Sequence, residues 1–179
     1  AIDHMRSEAA RIAHEWIPIR SGTDGALALG MINVIAEEGL YDREFVDNWT
    51  VGFDELREYA RNFPPEEVER ITRVPRQTVI ETAREFAAAK SATVSMYTGL
   101  EYTDSGVQNL RAVFILYAIT GNLDIPGGNM LPPPAAPTGN ITLFDEKIPT
   151  LKPRAGSETH PVWTSLYPEA QANAVIEQI

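Results

Sequence analysis

Asp24 is the residue of this sequence best placed to do chemistry. It ends the turn Ser21-Gly22-Thr23-Asp24, which follows a short apolar run (Trp16, Ile17, Ile19) and opens a long apolar stretch running to Glu38. Strand, glycine-containing turn and buried helix is the arrangement by which α/β domains present a ligand at a helix N-terminus. The backbone N–H groups of a first helical turn lack intrahelical partners, and the helix dipole adds positive character. Either Thr23 or Asp24 caps those donors as a plain N-cap, or Asp24 points outward as an acceptor. A carboxylate holds two acceptor oxygens side by side, so it matches a partner with two parallel N–H donors. Guanine, with a ring N–H beside an exocyclic amine, is one such partner; arginine is another.

Two further positions share this logic. Asp3 closes what reads as the tail of a strand, and Thr98-Gly99 follows the β-branched run Ala92–Tyr97. With Gly22-Thr23-Asp24 they fall at C-terminal strand ends, the edge at which α/β sheets bind ligands. Glycine there lets a backbone N–H approach a phosphate with no Cβ in the way. Other constellations are missing. His4, His14 and His160 lack metal-ligand spacing, and there is no GxSxG, P-loop or HExxH. The chain contains no cysteine, which excludes a thiolate metal site, an iron–sulfur cluster and a cysteine nucleophile within it. A net charge of −10 without a basic cluster argues against nucleic acid or an anionic membrane as main partner. No apolar run reaches the roughly 20 residues of a membrane span.

The elements that must position these residues follow from periodicity and punctuation. The 179 residues, 44% of them hydrophobic, can bury one good-sized core. Helical composition covers Arg6–His14, and a helix apolar on nearly every face is predicted from about Thr23 to Glu38, closed by Gly39. Short helices follow at Asp42–Trp49, with Phe45, Val46 and Trp49 on one face, at Phe53–Asn62, and at Pro65–Ile71 with Pro at its first position. From Pro75 to about Ala89, the residues Val79, Ile80, Ala83, Phe86 and Ala87 form a core-facing stripe. Ala92–Tyr97 is predicted as a buried strand, Thr98–Gly106 as a loop, and Ser105–Thr120 as a helix with stripe Val107, Leu110, Phe114 and Tyr117. Beyond Met130 the sequence turns proline-rich. Leu131–Gly139 should run extended, Ile141–Phe144 as a short strand, Lys147–Tyr167 as loop, and Pro168–Gln178 as a terminal helix. The alternation predicts an α/β fold with a mainly parallel sheet. Two or three strands are too few for a complete doubly wound sheet, and the opening at Ala1 reads as cut from something longer.

Four strings then carry a resemblance: WIPIRSGTDGALALGMINVIAEEGLYDREFVDNWTVGF, VPRQTVIETAREFA, GLEYTDSGVQNLRA and LYAITGNLDIPGGN. In this order they resemble the molybdopterin oxidoreductases of the dimethyl sulfoxide reductase family. The resemblance implies a central fragment of a longer enzyme holding molybdenum (or tungsten) between two molybdopterin guanine dinucleotides. Residues 1–130 would then be part of a helix-rich, partial Rossmann-like domain that binds the dinucleotide, and residues 131–179 a Pro-rich connection to the next domain. The guanine-binding aspartate of the family falls on Asp24, beside Gly22 and Thr23. The acidic residue and arginine after the preceding strand fall on Asp3 and Arg6, and the glycine of the post-strand loop on Gly99. The chain departs from the family at His4-Met5, where Pro is usual before the arginine, at Ser21, and at Tyr102 and Thr103.

The resemblance further implies an iron–sulfur cluster and the metal-ligating residue in the parent but outside this chain. It also implies the remaining domains of the parent and electron-transfer subunits as partners, with no nucleic acid and no direct membrane insertion. The fragment alone is expected to be inactive. A second reading is a ligand-free helical α/β interaction domain, with Trp49, Phe53 and Phe63 as partner-binding or core residues. A nicotinamide- or flavin-binding half-domain is a third, against which the missing GxGxxG counts.

Overall fold

A computed structural model describes residues 1–130. The expectations for Leu131–Gly139, Ile141–Phe144, Lys147–Tyr167 and Pro168–Gln178 lie outside the described residues. Two strands, β1 (Ile2–Asp3) and β2 (Ile17–Pro18), pair in parallel with Ile2 opposite Ile17, joined through α1 (Glu8–Ile12). Ser7 caps α1 by accepting from the Ala10 N–H at 3.3 Å. Beyond the turn lies α2 (Asp24–Glu37), then α3 (Arg43–Trp49), α4 (Phe53–Ala60), α5 (Pro65–Thr72), α6 (Arg76–Ala88), α7 (Thr98–Glu101) and α8 (Gly106–Ile119). The described residues are therefore helix-rich α/β with a short parallel sheet, as the sequence predicts.

The core is built on α2, against which α4, α5, α6 and α8 all pack. Ten of its fourteen residues are buried, which is what a helix apolar all round requires. Close approach is allowed by Gly30, where a Cβ would stand 2.5 Å from the Val68 side chain of α5. The helix stops at Gly39 (φ +68°), where the Leu40 N–H donates to the Ile35 carbonyl at 2.9 Å. Around α2 the core collects Ile17, Ile19, Val68, Val79, Val113, Leu116 and Tyr117.

Three expectations are corrected. Ala92–Tyr97 is not a buried strand: it is extended but pairs with no strand among the described residues, and Val94 and Tyr97 are exposed. A β-branched run forms a strand only where a second strand offers its backbone. Here side chains take that place. The Tyr117 hydroxyl donates to the Val94 carbonyl (3.1 Å) and accepts from its N–H (2.6 Å), while Asn122 Oδ1 accepts from the Ala92 N–H. Thr98–Glu101, expected as loop, is one helical turn. On α8 the buried face is Asn109, Ala112, Val113, Leu116 and Tyr117; of the expected stripe only Tyr117 is buried, while Val107 is 71% exposed and Phe114 is exposed too. That helix is apolar on two faces, and packing against α2 selects one of them. Of the two roles open to Trp49, core or surface, the structure takes the second: it is exposed, because the short α3 buries only Val46.

Candidate functional site

Both parallel strands point their C-terminal ends at one cleft. β1 delivers Asp3 and His4 to it; β2 delivers Ile19 and then the turn Ser21–Asp24. The opposite wall is α7 and the residues after it: Thr98, Gly99, Leu100, Tyr102 and Thr103. The volume of the cleft, which is open to solvent on one side, is about 340 Å³. Four of the six residues singled out from the sequence, Asp3, Gly22, Asp24 and Gly99, line this cleft. Thr23 and Arg6 do not: the Thr23 hydroxyl donates to the Arg20 carbonyl at 2.6 Å, and the Arg6 guanidinium sits 6.0 Å from the Trp16 ring centroid.

The two carboxylates of the cleft differ in what they already hold. Asp3 accepts from the Ser7 hydroxyl at 2.8 Å and the Met5 N–H at 3.3 Å, and lies 3.1 Å from His4 Nδ1. The Ser7 bond, then the Met5 N–H, hold its pKa below the ordinary carboxylate value. Asp3 is thus occupied in tying β1 to α1. Asp24 is the opposite case. Half-buried, it has its pKa raised by desolvation, opposed by its own backbone N–H and by the charge His4 carries when protonated. No side chain among the described residues donates to it. It opens α2 without a side-chain cap at Thr23, so the capping alternative is realised by neither residue.

The glycines on the walls are open toward the cleft. Gly22 sits at φ +79°, a conformation the turn needs and side chains disfavour. A Cβ at Gly99 would meet no heavy atom within 4 Å among the described residues, so nothing there demands glycine. Among the described residues no three His, Cys, Asp or Glu side chains gather as a metal site. No helix there is long and apolar enough to cross a membrane.

Sequence reasoning missed two residues of this region. His4 reaches the cleft because β1 ends one residue before it; adjacency to Asp3 was the available signal. Asn109, buried on α8, backs the cleft through Thr103. Its signal was a polar residue inside an otherwise apolar helical face.

Comparison with known proteins identifies relatives of this chain. Acetylene hydratase of Syntrophotalea acetylenica is 37% identical over 168 residues, covering 91% of this chain and 23% of that protein. Formate dehydrogenase H of Escherichia coli (strain K12) is 38% identical over 130 residues, 73% of this chain and 18% of that one. The solved structure of acetylene hydratase from Pelobacter acetylenicus superposes with a TM-score of 0.67 at 39% identity, over 71% of this chain and 17% of the other. The chain therefore spans less than a quarter of each relative's length. Residues 1–163 match the molybdopterin oxidoreductase family, and the chain belongs to it.

Proposed function

We propose that this chain forms part of the cradle for one guanine dinucleotide arm of a bis-molybdopterin guanine dinucleotide cofactor. The metal would be molybdenum or tungsten, and the parent an oxidoreductase acting on a small molecule. One observation carries the reading: Asp24 is a half-buried carboxylate that faces a cleft with no donor from the described side chains. A desolvated acceptor pair costs free energy until donors arrive, and guanine offers two in parallel. The residues present fit the group in a second way, since Gly22 and Gly99 leave backbone open to a phosphate on both walls. Parallel β1 and β2 feeding a buried helix support a Rossmann-like, dinucleotide-binding character.

In this role Asp24 holds the base, the Gly22 turn and the α7 backbone orient the phosphates, and Tyr102 flanks the opening. The cofactor supplies the redox chemistry when bound; the chain supplies orientation and electrostatics. The relatives' names include a hydratase and a dehydrogenase, and we assign the choice of reaction and substrate to parts of the parent outside these residues. An iron–sulfur cluster, the metal-ligating residue and electron-transfer partners would also lie there.

The interaction-domain reading has one supporting observation: Trp49 and Val51, separated by one residue in the sequence, are 78% and 99% exposed. A single measurement separates the two. In the intact parent protein, molybdenum and tungsten are determined by mass spectrometry together with GMP released by acid hydrolysis. The cofactor reading expects about two GMP per metal atom, one for each dinucleotide. A folded parent with neither metal nor GMP, produced in a host that makes the cofactor, overturns it in favour of the interaction domain.

A further inference from the structure

Asn109 is 4% exposed, on the face of α8 that packs against α2, between Gly106 and Val113. A buried carboxamide is costly unless its hydrogen bonds are made, so its partners show what it holds. Nδ2 donates to Thr103 Oγ1 at 2.9 Å, and Thr103 Oγ1 in turn donates to the Leu100 carbonyl at 3.2 Å. Because the hydroxyl proton is spent on Leu100, Thr103 can only accept from Asn109, which sets the orientation of the amide. The other amide atom, Oδ1, lies against Gly25, where a Cβ would stand 2.3 Å away. One side chain thus meets the first turn of α2, next to Asp24, and the segment carrying the facing wall.

The same helix ties that wall at two more points, through Tyr117 to Val94 and, just past its end, through Asn122 to Ala92. Those ties hold the stem of the wall; the Asn109 bond holds its tip. We propose that Asn109 is a positioning residue that sets the spacing of the cleft, fixing the Thr103 wall across from Asp24 and so the fit of the dinucleotide. This rests on the dinucleotide reading above. It adds a determinant that touches no ligand.

The test uses the full-length parent with its cofactor. Asn109→Leu removes the donor at similar volume, Thr103→Val removes the acceptor at the same shape, and Thr103→Ser keeps it. GMP and metal per protein are measured after purification, along with the rate of GMP loss on dilution and the thermal midpoint. Loss of one buried hydrogen bond should speed cofactor loss about fivefold to tenfold in each of the first two variants. If Asn109 acts through Thr103, the double variant is no worse than either single one, and Thr103→Ser recovers most of the loss. Wild-type retention in Thr103→Val, with or without a lowered thermal midpoint, overturns the proposal, as do additive losses in the double variant. Thr103→Val decides the matter even where Asn109→Leu does not fold. Wild-type parent without GMP is a different result: it overturns the dinucleotide reading and the role of Asn109 with it.

Discussion

At the scale of single residues, Asp24 and Asp3 show how one residue type takes opposite roles within one cleft. Asp24 has its pKa raised by burial, so its carboxyl holds the proton more tightly in the folded protein than in the unfolded chain. That contribution to stability is full below the unfolded-state pKa and is lost as pH rises through the folded one. At neutral pH the ionised carboxylate is therefore a liability to the cofactor-free fold. We expect Asp24→Asn to leave the thermal midpoint of cofactor-free protein at pH 7 unchanged or higher, while the parent carrying it loses GMP and metal. The amide turns one acceptor into a donor facing guanine. Unchanged metal and GMP in that variant would remove Asp24 from the role given to it. Asp3 runs the other way: its lowered pKa adds stability above the ordinary carboxylate range, and that part is lost as pH falls through the lowered value. Asp3→Asn should flatten the acid limb of a thermal-midpoint profile measured from pH 6 downward, whereas an unchanged limb would mean the Ser7 bond contributes nothing.

At the scale of elements, α2 and α8 set the geometry and glycine sets their spacing. At Gly30 the Val68 side chain of α5 occupies the space a Cβ would need. Gly30→Ala should cost about 1–3 kcal/mol by overpacking, despite the better helix propensity of alanine. Equilibrium unfolding in urea measures it, and a stabilised variant would mean α5 can shift freely. The extended run Ala92–Tyr97 makes a complementary test. Its Val94 backbone leans on one phenol oxygen that both donates and accepts. Tyr117→Phe should therefore raise amide hydrogen exchange at residues 93–97 more than in α2, at a cost of about 1–3 kcal/mol for the orphaned groups. Uniform exchange across the chain would show that the phenol holds nothing in particular.

At the scale of the whole molecule, surface charge contributes less than the packing inside. Arg84 grips Glu38 with two bonds of 2.8 Å, and Arg57 and Arg61 share Glu37, all at the surface. Exposed pairs are screened and lose side-chain entropy on forming. Arg84→Ala should lower the thermal midpoint less than Gly30→Ala does, and by an amount that shrinks in high salt. A larger drop would mean the pair fixes how α6 meets the end of α2.

What the sequence determined by itself was local and periodic. The apolar ring of α2, the Gly39 stop, the Pro start of α5 and the turn before Asp24 are each written in neighbouring residues, and each formed within a residue or two of its expected bounds. The family was legible as well, because its motifs are short contiguous strings. Tertiary structure decided whatever depended on a partner far along the chain. Ala92–Tyr97 needed a second strand and met Tyr117 and Asn122 instead. Two apolar faces of α8 competed for one neighbour, and Asn109 became a tie only once Gly25 and Thr103 came within reach. Periodicity says which residues can be buried together on one element; it cannot say which of two eligible faces the rest of the chain will cover.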